Sequence, residues 1–85
     1  MTQSRHALVT GASKGVGRGI ALGLAEAGWS VGVNYHRDRD GAEATAEAVR
    51  QFGVAAEIFQ GDVGSSADVD HLFEQFSATF GTVDL

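Results

Sequence analysis

Short apolar runs alternate with longer stretches whose apolar residues recur every three or four positions, and glycines stand at most of the junctions. Residues 6–10 (HALVT) predict a buried strand that runs into a glycine-rich turn at 11–17. A helix follows over 17–27, with Ile20, Ala21, Leu24 and Ala27 at helical spacing and Gly28 as its stop. Residues 29–35 (WSVGVNY) read as a second strand, being β-branched and aromatic. A polar loop at 36–40 leads to a second helix over 41–52, with Ala42, Ala46, Val49 and Phe52 on one face and Gly53 behind it. A third strand is predicted at 54–60 and a loop at 61–65. Ser66 then caps a third helix carrying Val69, Leu72, Phe73, Phe76 and Phe80 on one stripe and ending at Gly81. Residues 82–85 read as the opening of a fourth strand. The order βαβαβα(β), with helices of ten or more residues, requires parallel strands joined by right-handed crossovers. The expected class is therefore α/β, the N-terminal half of a Rossmann doubly wound sheet.

The turn itself reads Thr10-Gly11-Ala12-Ser13-Lys14-Gly15-Val16-Gly17. Each glycine has a physical job where a strand switches to a helix. Gly11 permits the sharp exit, Gly15 lets main chain approach a pyrophosphate, and Gly17 lets the helix pack closely on the sheet. The helix N-terminus presents free N–H groups and the positive end of its dipole to an anion, and Ser13 can add a hydroxyl. The spacing is G-x-x-x-G-x-G. It is neither the commoner G-x-G-x-x-G nor a P-loop, since no G-x-x-x-x-G-K-[ST] string occurs. A purely structural turn in a chain with 12 glycines is the alternative.

Composition narrows the function. The net charge of −5 argues against nucleic acid as partner. Four of the six basic residues (Lys14, Arg18, Arg37 and Arg39) fall just after predicted strands, while the acids lie mainly from Asp38 onward. A local basic pocket on an acidic body suits a small anion. Absence of cysteine excludes disulfides, thiolate metal sites and cysteine nucleophiles. His6, His36 and His71 lack ligand spacing, so no metal site is expected. No G-x-S-x-G elbow points to a hydrolase. Residues 1–6 are polar with no apolar signal core behind them, and no apolar run nears the ~20 residues of a membrane helix. The expected location is cytoplasmic, with no membrane partner.

The motif Thr10–Gly17 resembles the T-G-x-x-x-G-x-G signature of the short-chain dehydrogenases/reductases. Asn34-Tyr35 at the end of strand two, Gly61-Asp62-Val63 after strand three and Val83-Asp84-Leu85 match the same family. The whole chain resembles its N-terminal third, in the style of bacterial 3-oxoacyl-carrier-protein reductases. The resemblance implies a homo-oligomeric parent enzyme that moves a hydride between NADPH and a carbonyl or alcohol substrate. It implies that Gly11, Ser13, Lys14, Gly15, Val16 and Gly17 surround the cofactor's phosphates. It also implies that Asp62 accepts a bond from the adenine amino group and that Val63 lines the ring; a turn cap is the alternative role for Asp62.

The cofactor choice turns on the end of strand two. An NAD site places Asp or Glu about 20 residues beyond the glycine turn. Here Tyr35, His36 and Arg37 stand there instead. In the family a basic residue before the second glycine marks NADP preference, and Lys14 occupies that position. Lys14 and Arg37 could pinch a 2′-phosphate, so NADP(H) is preferred over NAD(H). The opposing reading makes both solvated surface charges. An Asp38 or Asp40 turned inward would weaken the preference.

The family's catalytic Ser, Tyr and Lys cannot be placed, and neither can its Asn-Asn-Ala-Gly stretch. Tyr35 is the only tyrosine and has no lysine after it. Residues 1–85 are thus expected to be a partial NAD(P)-binding domain cut before the catalytic half. In that case strand four covers the free edge of strand one poorly, and the isolated piece is marginal or needs a partner. A stand-alone, non-catalytic nucleotide-binding or interaction module is the second reading. A remnant without a ligand is the third, disfavoured because glycine costs conformational entropy where it has no role.

Overall fold

The computed structural model describes residues 5–81 and 83–85. Three strands, β1 (His6–Val9), β2 (Ser30–Tyr35) and β3 (Ala56–Gln60), alternate with α1 (Gly15–Glu26), α2 (Arg39–Arg50) and α3 (Ser66–Phe80). The strands form one parallel sheet in the order β1-β2-β3. His6 to Val9 pair with Ser30 to Val33, and Val31 to Tyr35 pair with Ala56 to Gln60. This is the predicted α/β, Rossmann-like arrangement.

Period-two alternation divides the sheet into two faces. On one, Val9, Val31, Val33, Tyr35 and Ala56 pack with Ala21 and Ala25 of α1 and Ala42, Ala46 and Val49 of α2. On the other, Phe59 packs with Leu72 and Phe76 of α3, joined by Leu8, Phe80 and Val83. Two crossovers that step in the same direction across the sheet put their helices on one face. That α3 lies on the opposite face means the chain has turned back toward β1. Residues 83–85 accordingly run along the free edge of β1, where Asp84 N donates to His6 O (2.9 Å) and Leu8 N to Leu85 O (2.8 Å). The Asp84 carboxylate also accepts from His6 N at 3.0 Å. Residues 83–85 form no regular strand; Thr82 and residues 1–4 lie outside the described residues.

Several boundaries and faces differ from the sequence expectation. α1 begins at Gly15, two residues earlier than predicted, and α2 at Arg39, so the loop after β2 is only three residues long. Ser65, not Ser66, caps α3, and its hydroxyl accepts from Asp68 N at 3.3 Å. The buried stripe of α1 is Ala21 and Ala25, with Ile20 and Ala27 outside it. A step of four places Gly17, Ala21 and Ala25 on one side, and their small size lets the helix lie close to the sheet. Phe52 and Phe73 are about half exposed. Phe52 lies past the end of α2, and of the α3 stripe only Leu72 and Phe76 are buried.

Phe76 is fully buried because Gly32 makes room for it. A Cβ on Gly32 would lie 2.6 Å from the Phe76 ring and 3.0 Å from Phe59. The Phe59 and Phe76 rings meet at a centroid distance of 5.7 Å and 46°. Burying a side chain of this size contributes about 1.5–3 kcal/mol, so Gly32 in mid-strand is offset by the aromatic it admits.

Candidate nucleotide-binding site

Three segments converge at the C-terminal ends of the strands: the turn after β1, the loop after β2 and the loop after β3. In open α/β sheets that end, at the point where the chain reverses direction, is where ligands bind. The turn leaves β1 with Gly11 at φ +59° and passes into α1 through Gly15 at φ +63°. Both values lie in the left-handed region that disfavours side chains. A Cβ on Gly15 would meet nothing within 4 Å, so this position opens to solvent. Gly17 faces inward, where a Cβ would collide with the Gly11 carbonyl oxygen and lie 2.8 Å from its carbon.

The three helix N-termini are not alike. Asp38 caps α2 by accepting from Gly41 N at 3.0 Å, and Ser65 caps α3. At α1 the capping position is Lys14; among the described residues no side chain caps it, and no acid stands in its first turn. A terminus left with free N–H groups and a positive dipole end can hold an anion. With Gly15 open in front of it, this donor set fits a phosphate.

Behind the turn, α2 presses closely. A Cβ on Gly41 would lie 2.7 Å from Ser13 O, and the buried Thr45 hydroxyl donates to the same carbonyl at 3.5 Å. On the other side the turn is tied to β2, with Ala12 N donating to Asn34 O at 2.9 Å and Gly11 N to Asn34 Oδ1 at 3.3 Å. Sequence reading passed over Gly41 and Thr45 and gave Asn34 no role. An asparagine inside the apolar run VGVNY was the available signal, since a polar side chain in a buried parallel strand must find partners.

The remaining predicted residues divide. Lys14 and Arg37 are exposed, and neither makes an ion pair among the described residues. Val16 is exposed on the first turn of α1. Ser13 is half-buried and offers its carbonyl to Thr45. The Tyr35 ring is packed into the core on the α1 and α2 side, so only its main chain reaches the crevice, where Tyr35 O accepts from Gly61 N at 2.9 Å. His36 and Asp62 come together across the mouth, Nε2 to Oδ2 4.0 Å, both about half exposed. Asp62 Oδ1 accepts from Gly64 N at 2.9 Å, a turn-capping bond that leaves Oδ2 toward His36. Val63 is exposed beside it. Asp38 is committed to the α2 cap, and Asp40 lies in the first turn of that helix.

A groove of about 420 Å³ between β3 and α3, lined among others by Glu57, Gln60, His71 and Gln75, holds none of the predicted site residues. Among the described residues no three His, Asp or Glu side chains gather as metal ligands, and no helix is long and apolar enough to cross a membrane.

Sheet order, the reversal at β1 and the glycine turn define a Rossmann-type α/β protein. The chain belongs to the short chain dehydrogenase family, a family of oxidoreductases, whose model matches residues 5–85. It is 43% identical over 82 residues to the 3-oxoacyl-[acyl-carrier-protein] reductase FabG of Staphylococcus epidermidis, covering 96% of this chain and 34% of that one. Among solved structures it resembles the acetoin dehydrogenase YohF of Salmonella typhimurium, with TM-score 0.89 and 34% identity, covering 96% of this chain and 34% of that one. It also resembles a Burkholderia cenocepacia protein assigned as a dehydrogenase and solved with bound NADP. There the TM-score is 0.91 and the identity 36%, covering 95% of this chain and 32% of that one. The chain thus spans about a third of the length of the relatives it matches.

Proposed function

We propose that residues 1–85 are the NADP(H)-binding portion of a cytoplasmic short-chain oxidoreductase that reduces a carbonyl, or oxidises the corresponding alcohol, of a small-molecule substrate. The observation that carries this reading is the N-terminus of α1, uncapped among the described residues, behind an open Gly15, whereas α2 and α3 are capped by their own side chains. N–H groups of Gly15, Val16 and Gly17 would hold the pyrophosphate, with the Ser13 hydroxyl beside them. NADP(H), when bound, supplies or takes the hydride. Lys14 and Arg37 would hold the 2′-phosphate, Arg37 through its two-pronged donor geometry. Support for NADP(H) over NAD(H) comes from Asp38, whose Oδ1 accepts from Gly41 N at the α2 cap. The NADP bound by the B. cenocepacia protein points the same way. His36, Asp62 and Val63 would border the adenine. The groups that move the proton would come from the part of the enzyme beyond this portion.

Calorimetric titration with NADPH and NADH, beside a Lys14→Ala/Arg37→Ala variant, tests the proposal. NADPH should bind more tightly than NADH, and the double variant should lose about tenfold or more in NADPH affinity, the scale of a lost hydrogen bond to a charged group. A folded sample that binds neither nucleotide would overturn the reading.

A further inference from the structure

Asn34 is 2% exposed and sits near the C-terminal end of the middle strand, on the face covered by α3. Its side chain reaches both neighbouring segments. Oδ1 accepts from Gly11 N at 3.3 Å, while Nδ2 donates to Phe59 O and Gly61 O, each at 3.2 Å, with Tyr35 O further off at 3.5 Å. The amide orientation follows from these partners, because a flipped group would set its oxygen against two carbonyls and its NH₂ against an N–H. Main-chain bonds flank it on both sides, Ala12 N to Asn34 O and Gly61 N to Tyr35 O. One side chain thus bridges the turn after β1 and the loop after β3, which lie on opposite sides of the strand that carries it.

We infer that Asn34 is a positioning residue that locks the glycine turn and the β3–α3 loop into one unit, so that the two ends of the nucleotide crevice are set together before a ligand enters. No other uncharged side chain of this size offers two donors and an acceptor in one plane. Leucine keeps the volume but leaves the Gly11 N–H without its side-chain acceptor. Aspartate keeps the acceptor for Gly11 but turns charge toward the carbonyls of Phe59 and Gly61. The inference rests on the nucleotide reading for its ligand, whereas the coupling is measurable with no ligand present.

The test is Asn34→Asp, followed by amide hydrogen exchange corrected for intrinsic rates. The variant retains the Gly11 bond and loses only the β3 side. If the two ends are coupled, protection falls at Gly11 as well as at Gly61, by about tenfold, the scale of one lost hydrogen bond. Burial and the two facing carbonyls favour the neutral carboxyl, which can donate one bond, so the loss should be relieved as pH is lowered from about 8 to about 5.5. A folded variant in which protection falls at Gly61 alone, or in which the Gly11 loss does not depend on pH, overturns the inference. Should the variant not fold, exchange in the unmodified chain across low urea concentrations decides it. A common protection and urea slope for the Gly11 amide, the Gly61 amide and the Asn34 side-chain amide supports coupling, and separate slopes overturn it. NADPH titration of the two proteins is the separate arm. If the unmodified chain binds no nucleotide, the nucleotide reading falls while the exchange result stands by itself.

Discussion

Gly17 lies against the main chain of Gly11, so close that a Cβ built on it would be 2.8 Å from the Gly11 carbonyl carbon. Between them the two glycines close the turn on itself: one leaves the strand, the other lies in the first turn of the helix. The open side of this closure is Gly15, where a Cβ would touch nothing within 4 Å.

That difference separates two substitutions that look alike in sequence. Gly17→Ala has no room and must displace backbone, a cost of about 1–3 kcal/mol. Gly15→Ala meets only the strain of φ +63°, about 1–2 kcal/mol. Urea unfolding followed by circular dichroism should place Gly17→Ala below Gly15→Ala in stability. Equal stabilities would show that the Gly11–Gly17 contact relaxes freely.

Asp38 should behave as a helix cap and not as a ribose ligand. Asp38→Ala should destabilise by about 1 kcal/mol, as loss of an N-cap does, while Asp38→Asn retains the cap and most of the stability. Neither change should lower the ratio of NADPH to NADH affinity. A marked loss of NADH binding in the Asn variant would instead place this carboxylate on the nucleotide.

Gly32 and Phe76 should be coupled. Gly32→Ala overpacks the α3 face, at a cost of about 1–3 kcal/mol. Phe76→Leu should relieve most of that cost, so that the double variant is more stable than the sum of the single changes predicts. Additive effects in a double-mutant cycle would mean that the sheet shifts and the ring does not matter.

The alternation of strands and helices was legible because both periodicities are local properties of the chain. Runs such as Val31-Gly32-Val33 cannot bury a helical stripe, and the alanines of α2 cannot pair as a strand. The glycine turn was legible for the same reason, as each glycine answers a conformational demand within a few residues. These features were sufficient for the Rossmann-type order and for placing the candidate site at the end of β1. Which stripe of a helix is buried was less legible where apolar residues outnumber the places for them. Spacing alone does not separate Leu72 and Phe76, which are buried, from Phe73, which is about half exposed.

Tertiary structure alone decided the rest. Gly32 is required by the ring of Phe76, two helices further along the chain, and a Cβ on Gly41 would meet the Ser13 carbonyl as well as the nearby Asp38 carboxylate. Asn34 acts through Gly11, Phe59 and Gly61, which no local pattern links. Asp38 could have faced a ribose or a helix end, and the geometry of the α2 N-terminus made it a cap. Local sequence determines which elements form, because backbone conformation and apolar periodicity are set over a few residues. Contacts between elements determine what each polar or small residue does at their junctions, because a buried donor or a missing Cβ has meaning only once the opposing atoms are in place.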